Sequence, residues 1–274
     1  MIHFHKGNKM DANSHLFQLE RRKQILAMLE SEGKILVKDL EKIFSVSGAT
    51  IRSDLNDMEK EGLLLRTHGG AMEIQKTGED ASLEDRSKKR IKQKTAIAKV
   101  ALSLIEPGES LFVDGGTTLT QFIQCLVEHP IKDLTILTNY HPHVLHLNEC
   151  PEIKTVFIGG VYDHEIKAML GLPAVQMIRS FKVDKVLISA TGISLEQGIT
   201  FVKMDDALVK QTIIHQGRKT ILLTDSSKIG KASLISSGPL NDVDTLITDW
   251  EISNDSIKSI KDLGINLIIV PEPK

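Results

Sequence analysis

Between Leu16 and Glu32, apolar side chains at Leu16, Leu19, Ile25, Leu26 and Leu29 recur at helical spacing. Charged residues fill the gaps and Gly33 follows as a stop, which predicts a first amphipathic helix. Val37, Leu40 and Phe44 space a short second helix that Ser45-Val46-Ser47 interrupts, leaving Ser47 as the candidate N-cap of the next helix. A third helix runs from Gly48 to Glu61. Ile51, Leu55 and Met58 form its buried stripe, and Ala49, Thr50, Arg52, Ser53 and Asn56 form its free face. After Gly62, residues Leu63 to Met72 read as a strand, a Gly-Gly turn and the start of a second strand. Three helices and a hairpin make a winged helix-turn-helix, a module whose last helix suits a major groove, although many winged helices bind protein and the pattern alone fits either partner equally well. Small residues at Gly48 and Ala49 let the helix start approach a duplex, while Arg52 and Asn56 are long enough to reach base edges or phosphates. The candidate DNA contacts are Ser47, Gly48, Ala49, Thr50, Arg52, Ser53 and Asn56, with Arg66 and His68 at the wing tip beside the backbone.

The pattern then changes. Residues 73–85 are polar with few apolar anchors, and Arg86, Lys88, Lys89, Arg90, Lys92 and Lys94 follow in close succession. This basic run reads as a solvated helix face in preference to a DNA contact. From Thr95 the spacing of Ile97, Ala98, Ala101, Leu102 and Ile105 predicts a helix that ends at Glu106-Pro107-Gly108. Beyond it, short Val/Ile/Leu runs alternate with helical stretches: Ser110–Asp114, Thr135–Thr138, Lys154–Ile158, Lys185–Ser189, Thr220–Thr224, Thr245–Thr248 and Asn266–Val270. Continuous apolar runs suit strands buried on both faces, so a mostly parallel α/β sheet is expected. The organisation is a lead-in over 1–15, a winged helix over 16–72, a linker over 73–94 and an α/β domain over 95–274.

Composition narrows the picture without redirecting it. A chain of 274 residues with 41% hydrophobic and 26% charged positions can bury a core without disulfides or metals. Its net charge of -2 excludes a surface that is cationic throughout, so any nucleic-acid contact is a local patch. Within 16–72 the cations are balanced by as many acids, which calls for a one-sided patch, a homo-oligomer (dimer or tetramer) that pairs half-sites, or both. Cys125 and Cys150 show neither CxxC spacing nor a histidine pair at ligand distance. His141, His143 and His146, with Cys150 further on, read as incidental histidines on a helix in preference to a zinc site. No run is long enough to span a membrane and the start lacks a secretory pattern, so a soluble cytoplasmic protein is expected, with Met10 an alternative start.

In an open α/β sheet ligands sit at the carboxyl ends of the strands. Asp114-Gly115-Gly116-Thr117-Thr118 follows the first run and opens a helix. Glycines that permit close approach, two hydroxyls and the free N–H groups of a helix start together form an anion cradle. By itself such a turn fits a purely structural tight turn equally well. Thr138-Asn139 follows the second run, Gly159-Gly160 the third, Thr191-Gly192 the fourth and Asp225-Ser226-Ser227-Lys228 the fifth. Lys228 is a candidate phosphate cation, and Asp114 or Asp225 a candidate acceptor for sugar hydroxyls. Neither GxGxxG nor a P-loop lysine is present, so no dinucleotide or nucleotide cofactor is expected.

Glu20-Arg21-Arg22, the run Val46-Ser47-Gly48-Ala49-Thr50-Ile51-Arg52-Ser53-Asp54-Leu55 and Arg66-Thr67-His68-Gly69-Gly70-Ala71 resemble the DeoR family of bacterial transcription regulators. Ser53 stands where the family has a second Arg, so no operator sequence is carried over. Asp114 to Thr118, Leu137-Thr138-Asn139, Gly159-Gly160, Val209-Lys210 and Asp225 to Gly230 resemble the same family's sensor domain, in its order. Tyr140 departs from the Ser found after Thr-Asn. The resemblance implies a fold similar to ribose-5-phosphate isomerase, double-stranded operator DNA as partner, repression of a carbohydrate operon and a phosphorylated sugar as effector. It adds Lys210 to the candidate ligand residues Asp114, Gly115, Gly116, Thr117, Thr118, Thr138, Asn139, Gly159, Gly160, Asp225 and Lys228. The competing reading is a sugar-phosphate isomerase, which needs a carboxylate base beside the C2 proton. As the resemblance places them, Ala190-Thr191-Gly192-Ile193 and Val209-Lys210 lack the isomerase acids, although Glu196, Asp205 and Asp206 are nearby. The pattern favours binding without turnover.

Overall fold

A computed structural model describes residues 18–29, 34–61, 63–67, 69–72 and 83–273. The chain divides into two compact units, Met1–Lys76 and Thr77–Lys274. In the first, helix α1 covers residues 18–29, strand β1 spans Lys34–Leu36, α2 Val37–Phe44, α3 Gly48–Lys60, β2 Leu65–Thr67 and β3 Gly70–Met72. Ile25, Leu29, Val37, Leu40, Ile51, Leu55, Met58 and Leu64 close one core, as their periodicity predicts. Leu19, expected on the buried stripe, is exposed. The unanticipated β1 is the third strand of the wing, pairing antiparallel with β3, which pairs with β2. Gly70 makes that pairing possible: a Cβ there would lie 2.0 Å from the Ile35 carbonyl oxygen. The lead-in 1–15 and His68 lie outside the described residues.

In the second unit the elements are α4 Leu83–Lys88, α5 Ile91–Leu102, β4 Ser110–Val113, α6 Thr117–Glu128, β5 Thr135–Thr138, α7 His141–Leu147, β6 Lys154–Phe157, β7 Val161–Asp163 and β8 Ala168–Leu170. They continue as α8 Gly171–Arg179, β9 Val183–Ile188, β10 Gly192–Ser194, β11 Gly198–Phe201, α9 Met204–Ile214, β12 Gly217–Leu223, β13 Ile235–Gly238, β14 Thr245–Thr248, α10 Asn254–Asp262 and β15 Asn266–Ile269. All seven expected runs are strands of one seven-stranded parallel sheet, ordered β15-β14-β12-β9-β4-β5-β6. Each central strand alternates between two cores. Leu111, Val113, Leu187, Ile221, Leu223 and Ile247 face one that includes α5 and α6, while Phe112, Val186, Ile188, Leu222 and Leu246 face one that includes α8 and α9. With both faces apolar, the alternation is invisible in the sequence.

The linker expected over 73–94 needs correcting. Residues 73–82 lie outside the described residues, but 83–88 and 91–94 are helical and belong to the larger unit. The charge run reads as a solvated face in sequence, yet two of its members turn inward: Lys94 is buried and Arg90 makes ion pairs with Asp225, Asp249 and Glu251. Also unanticipated are the antiparallel pair β7–β8 and the three-stranded sheet β10-β11-β13, whose strands of three or four residues leave little periodicity to read.

Candidate functional site

In the smaller unit, Ser47 caps α3. Its Oγ accepts the Thr50 N–H at 3.2 Å and lies 2.9 Å from the Thr50 hydroxyl. Ala49, Arg52, Ser53 and Asn56 are exposed on the face opposite the core, with Thr50 half-buried beside them. Gly48 is not on that face: it is buried, and a Cβ there would collide with the Glu41 carboxylate. Arg66 lies within β2, where its N–H donates to Glu59 Oε1 at 3.0 Å and its Nη1 to the Arg52 carbonyl at 3.5 Å. It fastens the wing to α3. The Arg21-Arg22 pair is likewise structural. Arg21 Nε is 2.6 Å from Asp54 Oδ2, and Arg22 pairs with Asp57 at 3.2 Å and Glu61 at 2.9 Å. Asp54, given no role of its own in the sequence expectations, is 1% exposed and also accepts from Gln18 at 2.9 Å.

In the larger unit the parallel strands deliver Asp114, Thr138, Asn139, Ser189, Asp225 and Asp249 to one sheet edge. Gly116, at φ +146, turns the chain into α6, and its carbonyl accepts from the N–H and the hydroxyl of Thr120. The Tyr140 ring lies over Gly115, where a Cβ would come within 2.7 Å of it, and Ser189 closes on Gly116 in the same way. Thr117 and Thr118 begin α6, Thr118 buried and Thr117 half-buried. Burial pushes the Tyr140 hydroxyl up to about 12, against the opposing pull of Arg86 and Lys210.

Asp114 and Lys210 hold each other. Lys210 Nζ donates to both Asp114 oxygens at 2.7 and 2.8 Å, lies 3.0 Å from Asp206 and sits 5.1 Å from the centre of the Phe201 ring. Burial alone would draw this ammonium down, but the two carboxylates hold it above its ordinary range. Burial raises the Asp114 carboxyl to about 6 against the restraining charge of Lys210. Asp225 is similarly engaged, accepting from the Ser227 N–H and facing Arg90 Nε at 3.1 Å. Lys228 differs. Burial lowers its ammonium, and among the described residues no hydrogen bond or ion pair reaches its Nζ. Asn139 is fully buried; its Nδ2 donates to the Met169 carbonyl at 3.1 Å while its Oδ1 has no partner among the described residues. Gly159 and Gly160 are exposed beside the edge strand β6. Gly160 there meets the Leu170 carbonyl and Ala174, which its missing Cβ permits.

His143 is sealed inside, between the Thr138 hydroxyl at 3.3 Å from Nδ1 and the Thr120 hydroxyl at 3.5 Å from Nε2, with its ring edge-on to Tyr140 at 4.7 Å. Among the described residues no group of three His, Cys, Asp or Glu side chains is placed to hold a metal. Burial first, and the neighbouring His146 second, lower its value from 6.5 to about 3. The folded protein therefore keeps this ring neutral, while the unfolded chain takes up a proton below 6.5. Its contribution is whole above pH 6.5 and is lost as pH falls through the window toward 3, at about 1.4 kcal/mol per pH unit. Urea unfolding at pH 7.5, 6.5 and 5.5 is expected to show a shallower decline in His143→Gln than in the native chain. Equal slopes would mean that the ring takes up its proton in the folded state.

Two family models match the chain: "DeoR-like helix-turn-helix domain" over residues 21–77 and "DeoR C terminal sensor domain" over residues 89–250. The chain is 30% identical over 255 residues to a putative aga operon transcriptional repressor of Escherichia coli O157:H7, covering 92% of this chain and 94% of that one. It is 31% identical over 259 residues to the HTH-type transcriptional repressor GlcR of Bacillus subtilis, covering 94% and 98%. A ribose 5-phosphate isomerase A structure from Methanocaldococcus jannaschii aligns over 50% of this chain and 53% of that one, with a TM-score of 0.37 and 16% identity. Among the described residues no helix is long and apolar enough to cross a membrane.

Proposed function

The chain belongs to the DeoR family of DNA-binding transcriptional regulators, and from that premise we propose that it represses a carbohydrate-utilisation operon and responds to a phosphorylated sugar held at the strand ends of its larger unit. As a member of a regulator family it is not an enzyme. Ser47, Ala49, Thr50, Arg52, Ser53 and Asn56 form the reading face toward operator DNA. The exposed Arg52 and Asn56, opposite the buried Ile51, Leu55 and Met58, support that role. Gly48, Arg66 and His68 complete the DNA-binding segment, Gly48 at the start of α3 and Arg66 by fixing the wing. The protein acts as a dimer or tetramer, because a winged helix with balanced charge needs paired half-sites for useful affinity.

The observation that carries the effector half is the buried, unpartnered Asn139 Oδ1 at the sheet edge where Gly115, Gly116 and the start of α6 lie. A buried acceptor without a donor suits a sugar hydroxyl, and free helix N–H groups suit a phosphate. Thr117, Thr118 and Lys228 serve the phosphate, and Thr138 orients the loop through the Tyr140 N–H at 3.1 Å. Asp114 and Lys210 act as one buried pair that holds the wall of the site, and Asp225 holds the turn carrying Lys228. Gly159 and Gly160 shape the edge beside β6.

Two experiments test the two halves. Selection of duplexes from a random pool would give an operator. Arg52→Ala is then expected to weaken it by about 1 to 3 kcal/mol and relax preference at one base position. Unchanged affinity and preference in a fluorescence-anisotropy titration would remove α3 as the reader. A thermal-shift panel of sugar phosphates against free sugars is expected to single out one phosphosugar, since a native-state ligand raises the melting temperature by mass action.

A further inference from the structure

The first described element of the larger unit is α4, and α4 with the junction after it is bound to the strand ends from several directions. It packs on α6, the helix that starts at the Gly115–Gly116 turn. Arg90, at φ +53 between α4 and α5, reaches Asp249 at 3.0 Å, Glu251 at 2.8 Å and the Ser226 hydroxyl at 2.9 Å. These contacts pin the junction to the ends of β12 and β14. Lys94 Nζ donates to the Arg86 and Lys89 carbonyls at the carboxyl end of α4, where a cation complements the helix dipole. Burial lowers that ammonium to about 8.

Arg86 is the exception in this fastening. Its Nε is buried without a hydrogen-bond partner, and among the described residues no carboxylate pairs with its guanidinium. The bonds around it set its place: its carbonyl accepts from the buried Lys94, and Arg90, four residues on, meets Asp225 and Ser226 of the turn that carries Lys228. Arg86 and Lys228, both half-buried, thus flank the junction that Arg90 fastens, and among the described residues neither has an ion pair, although the charge of Asp225 acts on Lys228. A guanidinium offers a planar fork of donors that matches phosphate geometry, and a phosphate carries the charge both groups lack.

We infer that Arg86 is an anion-binding residue of the effector site, so that a phosphorylated ligand grips α4, the segment through which the chain arrives from the DNA-binding unit. This rests on the effector reading above and extends it to regulation. A ligand shifts an equilibrium only by contacts that differ between states, and a contact to α4 is one that the connector can feel.

The test uses the full-length chain with inorganic phosphate as probe, against chloride at matched ionic strength. Phosphate is expected to raise the melting temperature of the larger unit and to slow amide exchange in residues 83–94. Arg86→Gln and Lys228→Gln are each expected to weaken phosphate by about tenfold or more. Arg86→Lys, which keeps the charge and loses the fork, should fall between. Melting in chloride checks that each variant folds, and Arg86→Lys carries the test if Arg86→Gln does not. If Lys228→Gln weakens phosphate while both Arg86 variants bind as the native chain does, Arg86 lies outside the site and the inference falls while the effector reading stands. Unchanged exchange in 83–94 on saturation overturns the link to the connector. A native chain that responds neither to phosphate nor to any sugar phosphate removes the effector reading and this inference with it.

Discussion

Lys210→Met is expected to destabilise the larger unit by about 3 to 5 kcal/mol at neutral pH, because it leaves a carboxylate stranded in the interior. Asp114 is fully buried and its two oxygens take Lys210 Nζ at 2.7 and 2.8 Å. Without the ammonium, the Asp114 carboxyl rises further above about 6, while the unfolded carboxyl stays at 3.8. A folded value raised above the unfolded one means that stability is kept below pH 3.8 and lost as pH rises through the folded value. The deficit of the variant therefore opens above pH 3.8, grows as pH rises toward the folded value and closes in acid. In the native chain the Lys210 contribution is whole below 10.5 and fades only as pH rises through its elevated folded value. Adding Asp114→Asn to Lys210→Met removes the stranded charge and should recover most of the loss. Calorimetry of the larger unit's transition at pH 4.5 and 7.5 checks both points. A Lys210→Met deficit that is equal at the two pH values, or that the second substitution fails to relieve, would show that the cost is one of packing.

This pair also marks where the sequence stops being readable. The seven core strands were legible because strands buried on both faces announce themselves as unbroken Val/Ile/Leu runs. The residues just after them, from Asp114 to Lys228, follow because a parallel sheet gathers its carboxyl ends. Which of those groups are already partnered depends on contacts between residues far apart in the chain. Lys210 sits 96 positions from Asp114, and nothing local distinguishes a lysine that neutralises a buried acid from one waiting for a ligand. Arg90 and Lys94 were hidden for the converse reason: a run of cations reads as a wet helix face, yet here it meets Asp225, Asp249 and backbone carbonyls. Both errors concern charge. Hydrophobic periodicity fixes which face of an element is buried, whereas the partner of a buried charge is a tertiary fact.

The same distinction governs the smaller unit, where Asp54→Ala is expected to lower stability by about 3 kcal/mol. Asp54 lies on α3 between Ser53 and Leu55, one residue from the exposed face proposed to read DNA, yet it is 1% exposed and points to α1. It accepts Arg21 Nε at 2.6 Å and Gln18 at 2.9 Å, so its removal unties the helix that presents Arg52 from the helix that supports it. Arg21 keeps 14% exposure and can turn outward, which sets the expectation toward the lower end of what breaking a buried pair costs. In a unit of this size each kcal/mol moves the melting temperature by about 4 to 8 °C, so a drop of about 12 to 24 °C is expected for the first transition. The larger unit shares no core cluster with these residues and should melt unchanged. Operator affinity separates this substitution from Arg52→Ala. Well below the lowered transition Asp54→Ala should bind near normally, and it should lose binding as the unit melts, whereas Arg52→Ala should be weak at every temperature with the transition intact. Weak binding by Asp54→Ala at low temperature would mean that the tie to α1 also sets the angle at which α3 meets the groove.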